Sequence, residues 1–264
     1  MTQRADMSSG AAPLLATRGL TKSFRNLIAL KNHELTVQPG EIVGVIGPNG
    51  SGKSTFFNLV SGFLRADSGE VVFNGKPILG RSAAEIVRLG LARTFQGTRL
   101  FGGLSVADNI RAAAELRHRS TMLDGLVGTH RLGRAKAAVE ETAQELLALV
   151  DLTERQGDRA SDLPYGDQRR LELVRALATG PRLLMLDEPA AGMDAAETRA
   201  LLKLIDQVRH RFGLAVIVVE HDMDLIMNLC ERIQVLAHGI RIFEGSPAEV
   251  QANPRVREVY LGHA

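Results

Sequence analysis

Residues 41–55 read EIVGVIGPNGSGKST, and this stretch decides the fold. Its first half, EIVGVIG, is apolar and lies between Pro39-Gly40 and Pro48-Asn49-Gly50, which predicts a buried strand feeding a glycine loop. Its second half, Gly47-Pro48-Asn49-Gly50-Ser51-Gly52-Lys53-Ser54, satisfies G-x-x-x-x-G-K-[S/T] in full, and residues 53–62 then read as a helix. Glycines let the backbone wrap closely and turn successive N–H groups inward as a nest for an anion. The helix that follows adds roughly half a positive charge at its N-terminus. Lys53 can reach the outer phosphates of a nucleotide, and the Ser54 hydroxyl can ligate Mg²⁺. From average residue frequencies a chance match has odds on the order of one in a hundred, and the flanking strand and helix lower them further.

Working outward, RLLMLD at 182–187 and LAVIVVE at 214–220 read as further buried strands, with helical periodicity at 195–211 between them. This is a βαβ unit and points to a parallel sheet. Asp187 and Glu188 fall at the end of one strand. Alone, such a pair is more often a helix N-cap. Beside a phosphate loop, Asp187 is expected to hold the Mg²⁺ shell and Glu188 to polarise an attacking water. His221 follows its strand at the edge where ligands collect in parallel sheets, and a γ-phosphate contact is expected of it. Gln96 closes RTFQ at 93–96 after another strand-like run; it reads either as a surface amide or as a water- and magnesium-contacting switch.

The middle differs. Residues 105–117, 134–150 and 167–179 are helix-like, and no strong strand signal occurs between about 97 and 180. The expected layout is a flexible tail at 1–13 and one domain over 14–262. Within it an α/β core (14–96 and 181–262) carries an inserted helical subdomain (97–180), with a surface excursion at 118–133.

Composition excludes several classes. Hydrophobic residues make up 45% of the 264, enough for a sizeable core, and with no Trp and 4% aromatics that core must be aliphatic. A net charge of +2, from 32 basic and 30 acidic residues, gives no case for nucleic acid as partner. The single cysteine, Cys230, is expected to pack as a small apolar side chain. The start, MTQRADMSSGAAP, has no apolar signal region, and no apolar run approaches the ~18 residues of a membrane span. Membrane contact is therefore expected only through a partner.

The order GPNGSGKST, TFQ, LPYGDQRRLELVRAL, LLMLDEP, AGMD, EHD resembles the ABC ATPase family over residues from about 14 to 262. The resemblance implies an α/β P-loop ATPase core with a parallel-rich central sheet, an N-terminal antiparallel β portion and an inserted helical subdomain. It implies ATP and Mg²⁺, with Phe24 as the aromatic under adenine and phosphates over Gly47–Thr55. Thr55 would reach the α-phosphate, and Lys53, Glu188, His221 and Gln96 would be catalytic. Ser54, Gln96 and Asp187 would surround the metal, and Asp194 would link two ATP sites across a dimer. The family's L-S-G-G-Q signature is replaced by Leu163-Pro164-Tyr165-Gly166-Asp167, leaving Gly166 as the point of close approach to a partner's ATP.

LPYGDQRRLE, EPAAGMD, GSPAEV and NPRVREVYLG further resemble the larger ATPase of branched-chain amino-acid uptake systems. That implies a second, different ATPase subunit (a homodimer being the alternative), two transmembrane permeases, and an extracytoplasmic substrate-binding protein acting indirectly. The location implied is the cytoplasmic face of the membrane, peripheral. Two rivals are the ATPase of a lipid or lipopolysaccharide exporter and a soluble ABC ATPase working on DNA or ribosomes. The single cassette, the absence of sustained heptads and the near-neutral charge disfavour the second.

Overall fold

The computed structural model describes residues 12–118 and 130–261. Residues 1–11 of the expected tail, and 119–129 of the expected excursion, lie outside the described residues. The central sheet has six strands: β3 (Ile42–Ile46), β6 (Leu91–Arg93), β7 (Leu183–Asp187), β8 (Ala215–Val219), β9 (Arg232–Ala237) and β10 (Ile240–Gly245), in the order β10-β9-β3-β8-β7-β6. All neighbours are parallel except the β9–β10 hairpin at one edge.

Every residue of β3, β7 and β8 is buried, because the sheet is covered on both faces. Side chains alternate between the faces. Ile42, Ile46, Leu184, Leu186, Val216 and Val218 join one apolar cluster; Val43, Val45, Leu183, Met185, Ala215, Ile217 and Val219 join the other. The first cluster is filled from α3 (Val106–Ala114), α4 (His130–Leu149), α5 (Tyr165–Ala178) and α6 (Ala195–Phe212). The second is filled from α1 (Lys53–Val60) and a four-stranded antiparallel sheet of β1 (Leu15–Phe24), β2 (Leu27–Val37), β4 (Ser68–Phe73) and β5 (Lys76–Pro77), in the order β2-β1-β4-β5. The fold is therefore α/β with an antiparallel layer on one face and helices on the other. Three short helices complete it: α2 (Ala83–Arg88), α7 (Met223–Leu229) and α8 (Pro247–Ala252), before the terminal α9 (Pro254–Leu261).

Asp194 has a local structural role. It is the N-cap of α6, accepting from the Ala196 and Glu197 amides at 2.7 and 2.8 Å, while Glu197 accepts from the Asp194 amide. This reciprocal box satisfies orphan donors at the helix start. Cys230 is buried, and burial pushes its thiol up to about 12.

His33, on β2, is fully buried between the two sheets. It stacks on Phe56 at 4.6 Å and shares a 2.6 Å hydrogen bond with Gln234 of β9. Burial depresses its pKa from 6.5 to about 4 despite that bond. The folded state thus disfavours the proton that the unfolded chain takes up below pH 6.5. The contribution is fully present above the unfolded pKa and lost as pH falls through the folded one. Between pH 6.5 and 4 the chain is expected to lose about 3 kcal/mol at this site. Urea melts across that range should show the slope, and His33→Leu should flatten it; an unchanged slope in the variant would refute the assignment.

Candidate active site

Because β3, β6, β7 and β8 run parallel, their C-terminal ends present Gly47, Thr94, Glu188 and Glu220-His221 along one sheet edge. The loop after β3 is built by glycine. Gly47 has φ 152°, and a Cβ there would lie 2.1 Å from the Leu236 carbonyl; Gly52 has φ 108°, with the Ala29 carbonyl 2.7 Å from such an atom. Side chains at either position would force the loop off β9 and the β1–β2 hairpin. Lys53 begins α1 almost buried, and its ammonium donates to the carbonyls of Gly47 (2.6 Å) and Pro48 (3.1 Å). Burial lowers its pKa, with Glu188 and then Asp187 opposing. The Ser51 hydroxyl is buried with no partner among the described residues, an acceptor and donor left over inside the loop.

A cleft of about 650 Å³ opens over this loop. Asn49 to Thr55 form its floor, Phe24, Leu27, Ile28 and Ala29 one wall, and Gln96, Glu188 and His238 the remainder. Phe24 ends β1, held half-exposed by a turn in which Arg25 has φ 52°. Glu188, also on the lining, has a φ of 48°. A left-handed non-glycine residue costs about 1–3 kcal/mol and persists only where its surroundings hold it. Here the Glu188 amide donates to the Val219 carbonyl at 2.8 Å, and the Gln96 amide donates to the carboxylate at 2.7 Å. That backbone reversal separates the two neighbouring acids.

Asp187 does not line the cleft. Its carboxylate is nearly buried and paired at 2.7 Å with Arg93, which also donates to Asn58 of α1 and to Ser61, the residue that caps it. His221 stands outside the cleft wall, its side chain 69% exposed. Gly166 is buried apart from the cleft, where a Cβ would meet the Glu197 carboxylate at 2.5 Å. The structure therefore brings together Phe24, the loop from Asn49 to Thr55, Gln96 and Glu188. Gly47 and Pro48 lie just beneath, while Asp187, His221 and Gly166 are at a remove. Leu27 to Ala29, His238 and Arg93 had no motif to announce them; each reaches the site through strand pairing or a long side chain.

No helix among the described residues is long and apolar enough to cross a membrane, and none of their His, Cys, Asp and Glu side chains form a cluster able to hold a metal alone. Ser54 and Gln96 on the cleft lining carry oxygens of the kind Mg²⁺ takes together with substrate phosphates.

The family described as ABC transporter matches residues 30–191. The chain belongs to that family, as one of its ATP-binding subunits. As an ABC ATPase it binds and hydrolyses ATP. It is 39% identical over 252 residues to the high-affinity branched-chain amino acid transport ATP-binding protein LivG of Escherichia coli (strain K12), covering 96% of this chain and 99% of that one. It is 33% identical to the lipopolysaccharide export system ATP-binding protein LptB of Acidithiobacillus ferridurans, covering 94% and 97%. Among solved structures, the ADP conformation of MJ1267, an ATP-binding cassette of an ABC transporter, superposes with a TM-score of 0.82 at 29% identity, covering 96% of this chain and all of that one. A second family, described as branched-chain amino acid ATP-binding cassette transporter, matches residues 241–264 of this ABC ATPase.

Proposed function

We propose that this subunit powers an importer of branched-chain or related amino acids. The match of residues 241–264 to the family described as branched-chain amino acid ATP-binding cassette transporter carries the reading, and the higher identity to LivG than to LptB (39% against 33%) supports it. In this reading the chain sits peripherally on the cytoplasmic face of the membrane. It pairs with a second ATPase beneath two permeases, and a substrate-binding protein delivers cargo outside. Residues 14–96 and 181–262 act as the ATP-binding core and 97–180 as the helical arm.

Adenine lies on Phe24, and the phosphates lie over Gly47 to Thr55. The inward backbone amides and the Lys53 ammonium stabilise charge on the phosphate oxygens as the terminal bond loosens. Ser54, Asp187 and Gln96 would hold Mg²⁺, which when bound neutralises phosphate charge. Asp187 would exchange its Arg93 partner for that shell. Glu188 orients and deprotonates water, with Gln96 fixing the carboxylate, and His221 closes on the γ-phosphate. Gly166 faces the ATP of the opposite subunit.

Purification of the chain at native levels from detergent-solubilised membranes, followed by mass spectrometry, tests the assembly. Two hydrophobic permeases and a second cassette with a regular signature are expected. A homodimer with exporter-type membrane proteins would overturn the uptake reading, and the absence of any membrane partner would overturn transport.

A further inference from the structure

Arg169 is 4% exposed, yet its guanidinium makes four hydrogen bonds, within its own helix and to the segment at Phe95-Gln96. From α5 it donates to the carbonyls of Phe95 (3.2 Å) and Gln96 (2.5 Å), to the Glu172 carboxylate (3.1 Å), and through Nε to the Tyr165 hydroxyl (3.0 Å). The Tyr165 hydroxyl donates onward to the Ala191 carbonyl at 2.8 Å. The neighbouring Gly192, with φ 80°, leaves room for the ring: a Cβ there would stand 3.2 Å from Tyr165 Cε1. At the other end, the Gln96 side chain holds Glu188 at 2.7 Å. A continuous line of hydrogen bonds thus runs from Glu188 through Gln96, Arg169 and Tyr165 to the loop at 189–193.

An ion pair with Glu172 alone would not need this arrangement. It would occupy one edge of the guanidinium, whereas here the other donors are spent on Tyr165 and on the carbonyls of Phe95 and Gln96, more than 70 residues away in sequence. Tyr165 is 42% exposed, so burial does not account for its placement. Its hydroxyl, absent from a regular signature glycine, is what completes the line.

We propose that Tyr165 and Arg169 are positioning residues that couple the loop at 189–193 to the Gln96–Glu188 pair within one subunit. The proposal rests on the catalytic reading of Glu188 and Gln96 given above. It makes the altered signature a gain of an internal link as well as a loss of glycine.

The test is a double-mutant cycle on the full chain, read as steady-state ATP turnover, with thermal melting as the fold control. Tyr165→Phe removes one oxygen and keeps the ring. We expect kcat to fall about five- to tenfold, the scale of one ordinary hydrogen bond, with KM for ATP within about twofold and an unchanged melting midpoint. In a Gln96→Ala background the same change should cost less than about twofold. Arg169→Lys, which keeps the charge without the planar fork, should behave like Tyr165→Phe. Hydrogen exchange gives a readout independent of turnover: Tyr165→Phe should speed exchange at both 95–97 and 189–193. Wild-type turnover in Tyr165→Phe beside an impaired Gln96→Ala would overturn the coupling alone. So would equal losses in both backgrounds, or faster exchange confined to 189–193. Wild-type turnover in Gln96→Ala would overturn both the coupling and the catalytic reading beneath it.

Discussion

Glu188→Gln is expected to lower ATP turnover at least about a hundredfold while leaving ATP affinity within about threefold. A positioned general base contributes on the order of 10²–10⁴ in rate, and the amide removes that basicity with almost no change in shape. The amide oxygen can still accept the Gln96 bond, and the left-handed backbone that aims residue 188 into the cleft is untouched. ATP binding is expected to depend instead on the loop at Gly47 to Thr55, which the substitution leaves in place. Phosphate release and equilibrium titration with a fluorescent ATP analogue separate the two quantities. Turnover within threefold of the parent would remove Glu188 as the base.

Lys53→Ala should act on the opposite quantity, weakening ATP binding about a hundredfold. The ammonium is nearly buried at the start of α1, and two charge-assisted hydrogen bonds to phosphate oxygens are worth about 3 kcal/mol together. Its contacts with the Gly47 and Pro48 carbonyls hold it over the loop, so little ordering remains to be done on binding. Lys53→Arg is the sharper control, because a planar guanidinium keeps charge without matching the compact ammonium. Calorimetric titration should give weak binding for both variants; parent-like affinity in Lys53→Ala would show that the backbone nest alone suffices.

The strands that frame the site were legible because they are buried on both faces. Continuous aliphatic runs such as LLMLD and AVIVV have no other common explanation beside glycine punctuation. The phosphate loop was legible because its glycines are forced by backbone contacts, as at Gly47 under Leu236. Glu188 lines the cleft while Asp187 pairs with Arg93, and the positive φ at Glu188 that accompanies this difference is not revealed by adjacent acids in a sequence. The Arg93–Asp187 pair and the Arg169 contacts were invisible for a different reason. They join residues 94 and more than 70 positions apart through side chains that could equally have faced solvent. His238 enters the cleft only because the β9–β10 turn folds beside the hairpin that carries Phe24.

The strand order has a consequence for how the chain is made. β3, which delivers the phosphate loop, pairs with β8 on one side and β9 on the other, and neither partner begins before residue 215. On a ribosome adding about 5–20 residues each second, β3 waits about ten to forty seconds for its neighbours. Through that interval the helices between β6 and β7 can form from local contacts, while the nucleotide cleft cannot exist. A nascent chain stalled before residue 215 should therefore be blind to ATP however much helix it contains. ATP then stabilises only the finished molecule, drawing the completed chain from its unfolded to its folded form by mass action.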